Sequence, residues 1–435
     1  MAGPRMSVSP YWELVFDADG DTDAGRRDRL LAGAAERGVR DLIVVAHGWN
    51  NDRSFATGLY SRFLAPVPAL APAARIGYAG VLWPSMRFTD EPIPDFPRTA
   101  APQPDPGPGL SEETRRALSA VFPGRAAVVG QLARLLGRRP AEESALEEFR
   151  ALVRLLAEPV PPGPREPSAT DTPGEGEPWM FSAPAARVCA EFAEAAGHGR
   201  PPGPATAAPP LPGLWDGALE LVRQATYYAM KRRAGTVGER GLGRVLGELA
   251  AAAPGVRVHL VGHSFGARLV SFALRGLPEG VRAVKSVTLL QGAFSHYAFA
   301  PRLPYDARAG GVLHGRPRRV DGPLVCCWSR HDGALGTLYP LASRVAGDDR
   351  SVDLPDIGRT LRERWGAMGY DGLRSVPGTR ACTLAGALRG ALPAAGCVNV
   401  DASAVVRRGR PPSGAHSDIL HTELAALVLA AGRIG

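Results

Sequence analysis

The pentapeptide Gly262-His-Ser-Phe-Gly266 sets a serine hydroxyl between two glycines. Such a hydroxyl is a weak nucleophile at neutral pH and acts only beside a base. The pentapeptide follows a strongly apolar run, Arg257–Val261, and precedes a helical pattern, Ala267–Arg275. A turn this tight between strand and helix strains the serine backbone, and side chains at 262 and 266 would clash with the flanking elements. It also lifts the Ser264 hydroxyl above a sheet at a helix N-terminus, where backbone amides favour developing negative charge. The plainer alternative is a strand–helix turn whose serine only caps the helix.

The base must come from one of nine histidines. A loop after the last strand offers His416, within Pro411-Pro-Ser-Gly-Ala-His-Ser-Asp418, and His421 just beyond it. A helix expected from near Ser417 to about Ala431 would enclose His421 as a surface or packing residue, so His416 is the better base. The third member is a carboxylate that orients the imidazole. Asp332 sits in Ser329-Arg-His-Asp332, at the carboxyl end of an expected strand, where open α/β sheets gather their chemistry. Asp401, past a weaker strand, is its rival, and either aspartate serves equally well as a turn former. For a developing oxyanion, Ala46-His-Gly-Trp-Asn50 supplies His47 and Gly48 in a tight turn, and the backbone amides of Trp49 and Phe265 are the expected donors. Taken alone, that turn is an ordinary strand end.

These residues need a sheet to hold them. Short apolar runs at 41–46, 77–83, 257–261, 286–290, 323–328 and 396–400 alternate with helical patterns, which predicts a parallel sheet flanked by helices. The run Tyr11–Phe16 alternates better and suits an antiparallel edge. Between residues 90 and 240 the rhythm breaks. Stretches near 90–110, 158–178 and 200–213 are rich in Pro and Gly and read as loops. Helical patterns lie between them at Ser111–Leu136, Ala141–Leu156, Pro184–Ala196 and Leu214–Arg233, the last with an apolar face of Leu214, Ala218, Leu221, Ala225 and Tyr228.

With His47-Gly48, Gly262-x-Ser264-x-Gly266, Asp332 and His416 in this order, the chain resembles the α/β-hydrolase superfamily over residues 35–90 and 240–435. The resemblance implies an eight-stranded, mostly parallel sheet and an acyl-enzyme mechanism without cofactor or metal. It divides the chain into residues 1–89 and 241–435 as a hydrolase core and 90–240 as a helical, Pro-rich cap. It names no substrate, because this fold hosts many hydrolases. A carboxylic ester is the expected target. A thioester or peptide bond on a protein or carrier is the alternative, and a scaffold without chemistry is a third.

Hydrophobic residues make up 45% of the 435 and charged residues 22%, the balance of a globular chain with a large core. The net charge of +8 raises the question of nucleic acid, but the arginines are interleaved with acids and no reader motif appears. No partner beyond a small acyl ester is expected. Five cysteines show no paired framework, and Cys326 and Cys327 read as buried strand residues. No signal-peptide stretch and no run of 18 apolar residues occurs, so a cytoplasmic setting is expected. Asp17-Ala-Asp-Gly-Asp-Thr-Asp23 begins like a calcium loop but has Thr22 and Asp28 where that loop needs Gly and Glu, so an acidic turn is expected. The basic, aromatic segment Tyr227–Arg233 suits either a membrane contact or, more simply, a helix packing its aromatics inward and exposing its cations.

Overall fold

The computed structural model describes residues 6–49, 53–86, 109–158, 167–173, 175–195, 211–344, 361–410 and 413–435. Its strands are β1 Tyr11–Val15, β2 Asp41–Ala46, β3 Ile76–Leu82, β4 Arg257–His263, β5 Val284–Leu290, β6 Pro323–Trp328, β7 Arg380–Thr383 and β8 Gly396–Asp401. They form one sheet in the order β1-β3-β2-β4-β5-β6-β8-β7. Every pairing is parallel. β2 and β3 are buried along their whole length, as their unbroken apolar runs require of strands covered on both faces. Cys326 and Cys327 are likewise buried in β6.

β1 corrects the expectation of an antiparallel edge. It is the edge strand, but it runs parallel to β3, pairing Tyr11 with Tyr78 and Val15 with Leu82. Alternation in sequence reports that one face is more exposed; it carries no information on direction. Direction is set by α1 Ala24–Glu36, which returns the chain to the starting end of the sheet before β2.

Successive residues of each strand face opposite sides, and two apolar clusters result. Leu42, Val44, Leu260 and Leu289 face one side. Ile43, Val45, Val261 and Leu290 face the other, against α2 Arg53–Leu64 and the last helix. The first cluster extends without a break into the segment between β3 and β4. There α3 Glu112–Val121 packs on α4 Ala126–Arg138, and α4, α5 Glu143–Ala157 and α6 Ala185–Ala195 pack around α7 Leu211–Thr236. Trp179, Phe192 and Trp215 thus belong to the same core as the sheet.

Two helical expectations change. The pattern Ser111–Leu136 is two helices, because Pro123 and Gly124, with φ 79°, turn the chain between Val121 and Ala126. The pattern Leu214–Arg233 is longer. α7 passes through a wider-turned stretch, Val237–Leu242, straight into α8 Gly243–Ala252, which leads to β4. α7 is also buried nearly all round, so Lys231 is inside the molecule and not on the surface. Most of the Pro-rich stretches at 90–110 and 200–213 lies outside the described residues. Among the described residues no helix is long and apolar enough to cross a membrane. The acidic segment at 17–23 is a local turn in which Asp17 Oδ1 accepts from the Asp19 and Asp21 amides.

Candidate active site

β4 ends at His263, and the chain turns at once into α9 Phe265–Gly276. Ser264 between them has φ 56° and ψ −118°, a conformation that L-residues adopt only under constraint. The constraint is close packing. A Cβ at Gly266 would stand 2.0 Å from Ala46 O, and one at Gly262 would stand 2.3 Å from Gly266 O. Glycine at both positions lets β2, β4 and α9 converge under the serine. Ser264 N–H donates to Leu290 O at 3.0 Å, which holds the turn against β5.

The other two candidates arrive from the next strands. Asp332 follows β6, is fully buried, and is fixed by the Leu335 amide, which donates to its Oδ1 at 3.0 Å. His416 follows β8 in a loop laced to the Asp332 loop: Ala415 N–H donates to His331 O, and Ala334 N–H donates to Ser413 O. Pro411 and Pro412 of that loop lie outside the described residues. His416 Nδ1 is 2.7 Å from Asp332 Oδ2, and its Nε2 is 2.9 Å from Ser264 Oγ. An ionised carboxylate only accepts, so Nδ1 carries the proton, and Nε2 of the neutral ring is left to accept from the serine. The structure brings Ser264, His416 and Asp332 together.

The rivals stand elsewhere. Asp401 Oδ1 accepts from the Ser403 amide in a turn after β8. His421 pairs with Asp418 at 2.7 Å. The last helix, α10 Thr422–Gly432, starts later than the sequence suggested, leaving His421 just ahead of it. Asp418 Oδ2 accepts from the Arg407 and Arg408 amides, which holds 418–421 in a loop conformation.

The turn after β2 lies against the serine, and a Cβ at Gly48 would come within 2.7 Å of Ser264 Cβ. Tyr60 OH accepts from His47 N–H at 2.8 Å and donates to Val81 O. Trp83 donates from Nε1 to His47 O, and its ring stacks on the His47 imidazole with centroids 5.5 Å apart. Phe265 is the first residue of α9, so its N–H has no partner within the helix. Tyr227 of α7 touches both expected donors' side chains, with centroids 4.5 Å from Phe265 and 5.7 Å from Trp49. Ser264 itself is only 5% exposed.

His263, which precedes Ser264 in the pentapeptide, has a place that sequence reasoning missed. Its Nε2 donates to His416 O at 2.8 Å, tying the His416 backbone to the strand that leads to Ser264. The only sequence signal was its position beside Ser264. Burial, reinforced by His416 nearby, lowers its pKa to about 3. In the unfolded chain it titrates near the ordinary ~6.5. The unfolded state therefore binds more protons between these values. This contribution to stability is complete above pH 6.5 and declines as pH falls towards 3, by ~1.4 kcal/mol per pH unit at most. Urea titrations of native protein and His263→Gln across that range are expected to show a slope shallower in the variant by about one proton.

Against α9 lies a buried ionic group. Arg268, one turn after Ser264, donates from Nε to Asp171 Oδ1 at 3.0 Å and from its other nitrogens to the carbonyls of Lys231, Ser168 and Thr170. Lys231 Nζ lies 2.8 Å from Asp171 Oδ2 and 3.3 Å from Glu175 Oε2. Asp171 Oδ2 also accepts from Ser295 N–H and Tyr339 OH. Burial alone would raise the Asp171 pKa, but Lys231 and Arg268 outweigh it and hold it at about 2. Removing one cation leaves a buried charge uncompensated. Arg268→Met is expected to cost about 3–5 kcal/mol of stability, read as a lower denaturation midpoint with an unchanged slope.

The same three residue types meet a second time. His259 bonds Asp41 through Nε2 and Ser286 through Nδ1, both at 2.9 Å. All three are buried in the first half of their strands, where a parallel sheet offers no loop cleft. This group pins β2, β4 and β5 together. Residue types alone therefore do not make the site; the strained turn and its place at the sheet's carboxyl end do.

Compared with known proteins, the chain matches no family model, no curated protein and no solved structure.

Proposed function

We propose that the protein is a serine hydrolase that cleaves carboxylic esters through an acyl-enzyme. One observation carries the reading: the Ser264 hydroxyl, on a strained strand–helix turn, lies 2.9 Å from an imidazole whose far nitrogen is 2.7 Å from a buried carboxylate. Ser264 attacks the acyl carbon. His416 takes its proton through Nε2 and returns it to the leaving alcohol, and Asp332 stabilises the resulting imidazolium. The amides of Trp49 and Phe265 hold the oxyanion. Water then repeats the sequence to release the acid. The low exposure of Ser264 and the aromatic side chains of Tyr227, Trp49 and Phe265 around it favour a small acyl ester over a protein-borne acyl group.

Labelling with a fluorophosphonate probe tests this. The native chain is expected to react at a single site, and Ser264→Ala and His416→Ala, folded by circular dichroism, are expected not to. A native chain inert to the probe would favour a scaffold that keeps the fold without the chemistry.

A further inference from the structure

Among the described residues, no hydrogen bond accounts for the buried side chain of Gln291. It follows Leu290, the last residue of β5 and the register partner of His263, and so stands beside Ser264 just past the end of the neighbouring strand, where strands are ~4.8 Å apart. The two residues share an unusual backbone, with φ 56° at Ser264 and 43° at Gln291. Chain on both sides of Gln291 is bonded to the serine: Leu290 O accepts from Ser264 N–H, and Ala293 N–H donates to Ser264 O at 3.2 Å. The Gln291 side chain is fully buried, and among the described residues neither Oε1 nor Nε2 has a hydrogen-bond partner. Strained backbone and an unsatisfied buried amide both oppose folding. An apolar side chain of the same length would remove the second penalty.

Resting on the reading of Ser264 as nucleophile, we propose that Gln291 determines specificity by hydrogen bonding an amide group of the substrate close to the scissile ester. A carboxamide presents an acceptor and two donors in one plane, the complement of an amide's N–H and C=O. Its side chain is long enough to span the distance between neighbouring strands, so a group attached near the reacting carbonyl is within reach. An all-carbon ester in the same place leaves the buried amide unpaired, and sites built this way discriminate strongly against the analogue that lacks the polar group.

Two matched pairs of substrates test the proposal. One carries the amide in the acyl part: the p-nitrophenyl esters of N-acetyl-β-alanine and of hexanoic acid. The other carries it in the leaving group: 4-acetamidophenyl and 4-propylphenyl hexanoate. In the native protein, kcat/KM is expected to favour the amide member of one pair by at least tenfold after correction for intrinsic reactivity, and that pair tells which side Gln291 reads. Gln291→Met is expected to abolish the preference by slowing the amide member, leave the alkyl member within about twofold, and unfold at the same or a higher temperature. No preference in the native protein, or a preference unchanged in the variant, overturns the proposal; a buried water on Gln291 would give that result. Loss of both members to the same degree overturns it as well. If no ester is turned over and the fluorophosphonate does not react, the nucleophile assignment itself has failed, and the two failures are thereby told apart.

Discussion

Ser264→Ala is expected to lower kcat for p-nitrophenyl butyrate by about 10⁶-fold, the loss found where a nucleophile, its base and its acid act as one unit. Without Oγ there is no acceptor of the acyl group, and His416 Nε2 faces a methyl group where it had a hydroxyl at 2.9 Å. The amides of Trp49 and Phe265 remain, so hydrolysis is expected to persist above the rate in water, with water attacking directly. The variant must be folded for the comparison to count. The elbow itself is held by Gly262 and Gly266 and by the Ser264 backbone, none of which the substitution alters. Activity retained to within tenfold would move the nucleophile elsewhere and leave Ser264 a helix cap.

Asp332→Asn is the second large effect, about 10⁴-fold in kcat. Asparagine keeps the size and the place, but its amide nitrogen donates where the carboxylate accepted. His416 then turns its lone pair towards residue 332 and its N–H towards Ser264, and Nε2 can no longer take the serine proton. Without the carboxylate the imidazolium also lacks its counter-charge. The control is Asp401→Asn. Asp401 accepts from the Ser403 amide in a turn and has no bond to His416 among the described residues, so kcat is expected to stay within a few-fold. A large loss at 401 and a small one at 332 would reverse the assignment of the acid.

How far these features were legible in the sequence depends on how local their causes are. The strands of the sheet interior announced themselves because burial on both faces demands unbroken apolar runs, as in Asp41–Ala46. The turn at 262–266 was legible because its residue pattern lies within five residues, although of its two close approaches only that of Gly262 to Gly266 O is local, Gly266 meeting Ala46 O of β2. β7 was not, because Arg380–Thr383 is a short, largely exposed edge with no apolar run to mark it. Its neighbour β8 showed only weakly, being partly exposed where it begins. The direction of β1 was unreadable from its own residues. The split at Pro123-Gly124 was written in the sequence and lost under a longer helical period. The start of α10 was missed for another reason: Asp418 holds its loop by reaching back to Arg407 and Arg408. The Asp171–Arg268 pair joins residues 97 apart, and Gln291 is conspicuous only for partners it lacks; neither leaves a periodic trace.

The ionic group around Asp171 bears on how such a chain can change over evolutionary time. Arg268 belongs to α9, the helix that follows Ser264, whereas Asp171, Glu175 and Lys231 all come from the segment between β3 and β4. Two positive and two negative side chains cancel only when both parts are present. A shortened descendant that dropped the segment would take away Asp171 and the carbonyls of Ser168, Thr170 and Lys231, to which the Arg268 guanidinium donates, and one that kept it without Arg268 would leave a buried carboxylate short of one cation. The constraint is thus one-sided: Arg268 can be solvated once the segment is gone, whereas the segment cannot lose Arg268 without leaving buried negative charge.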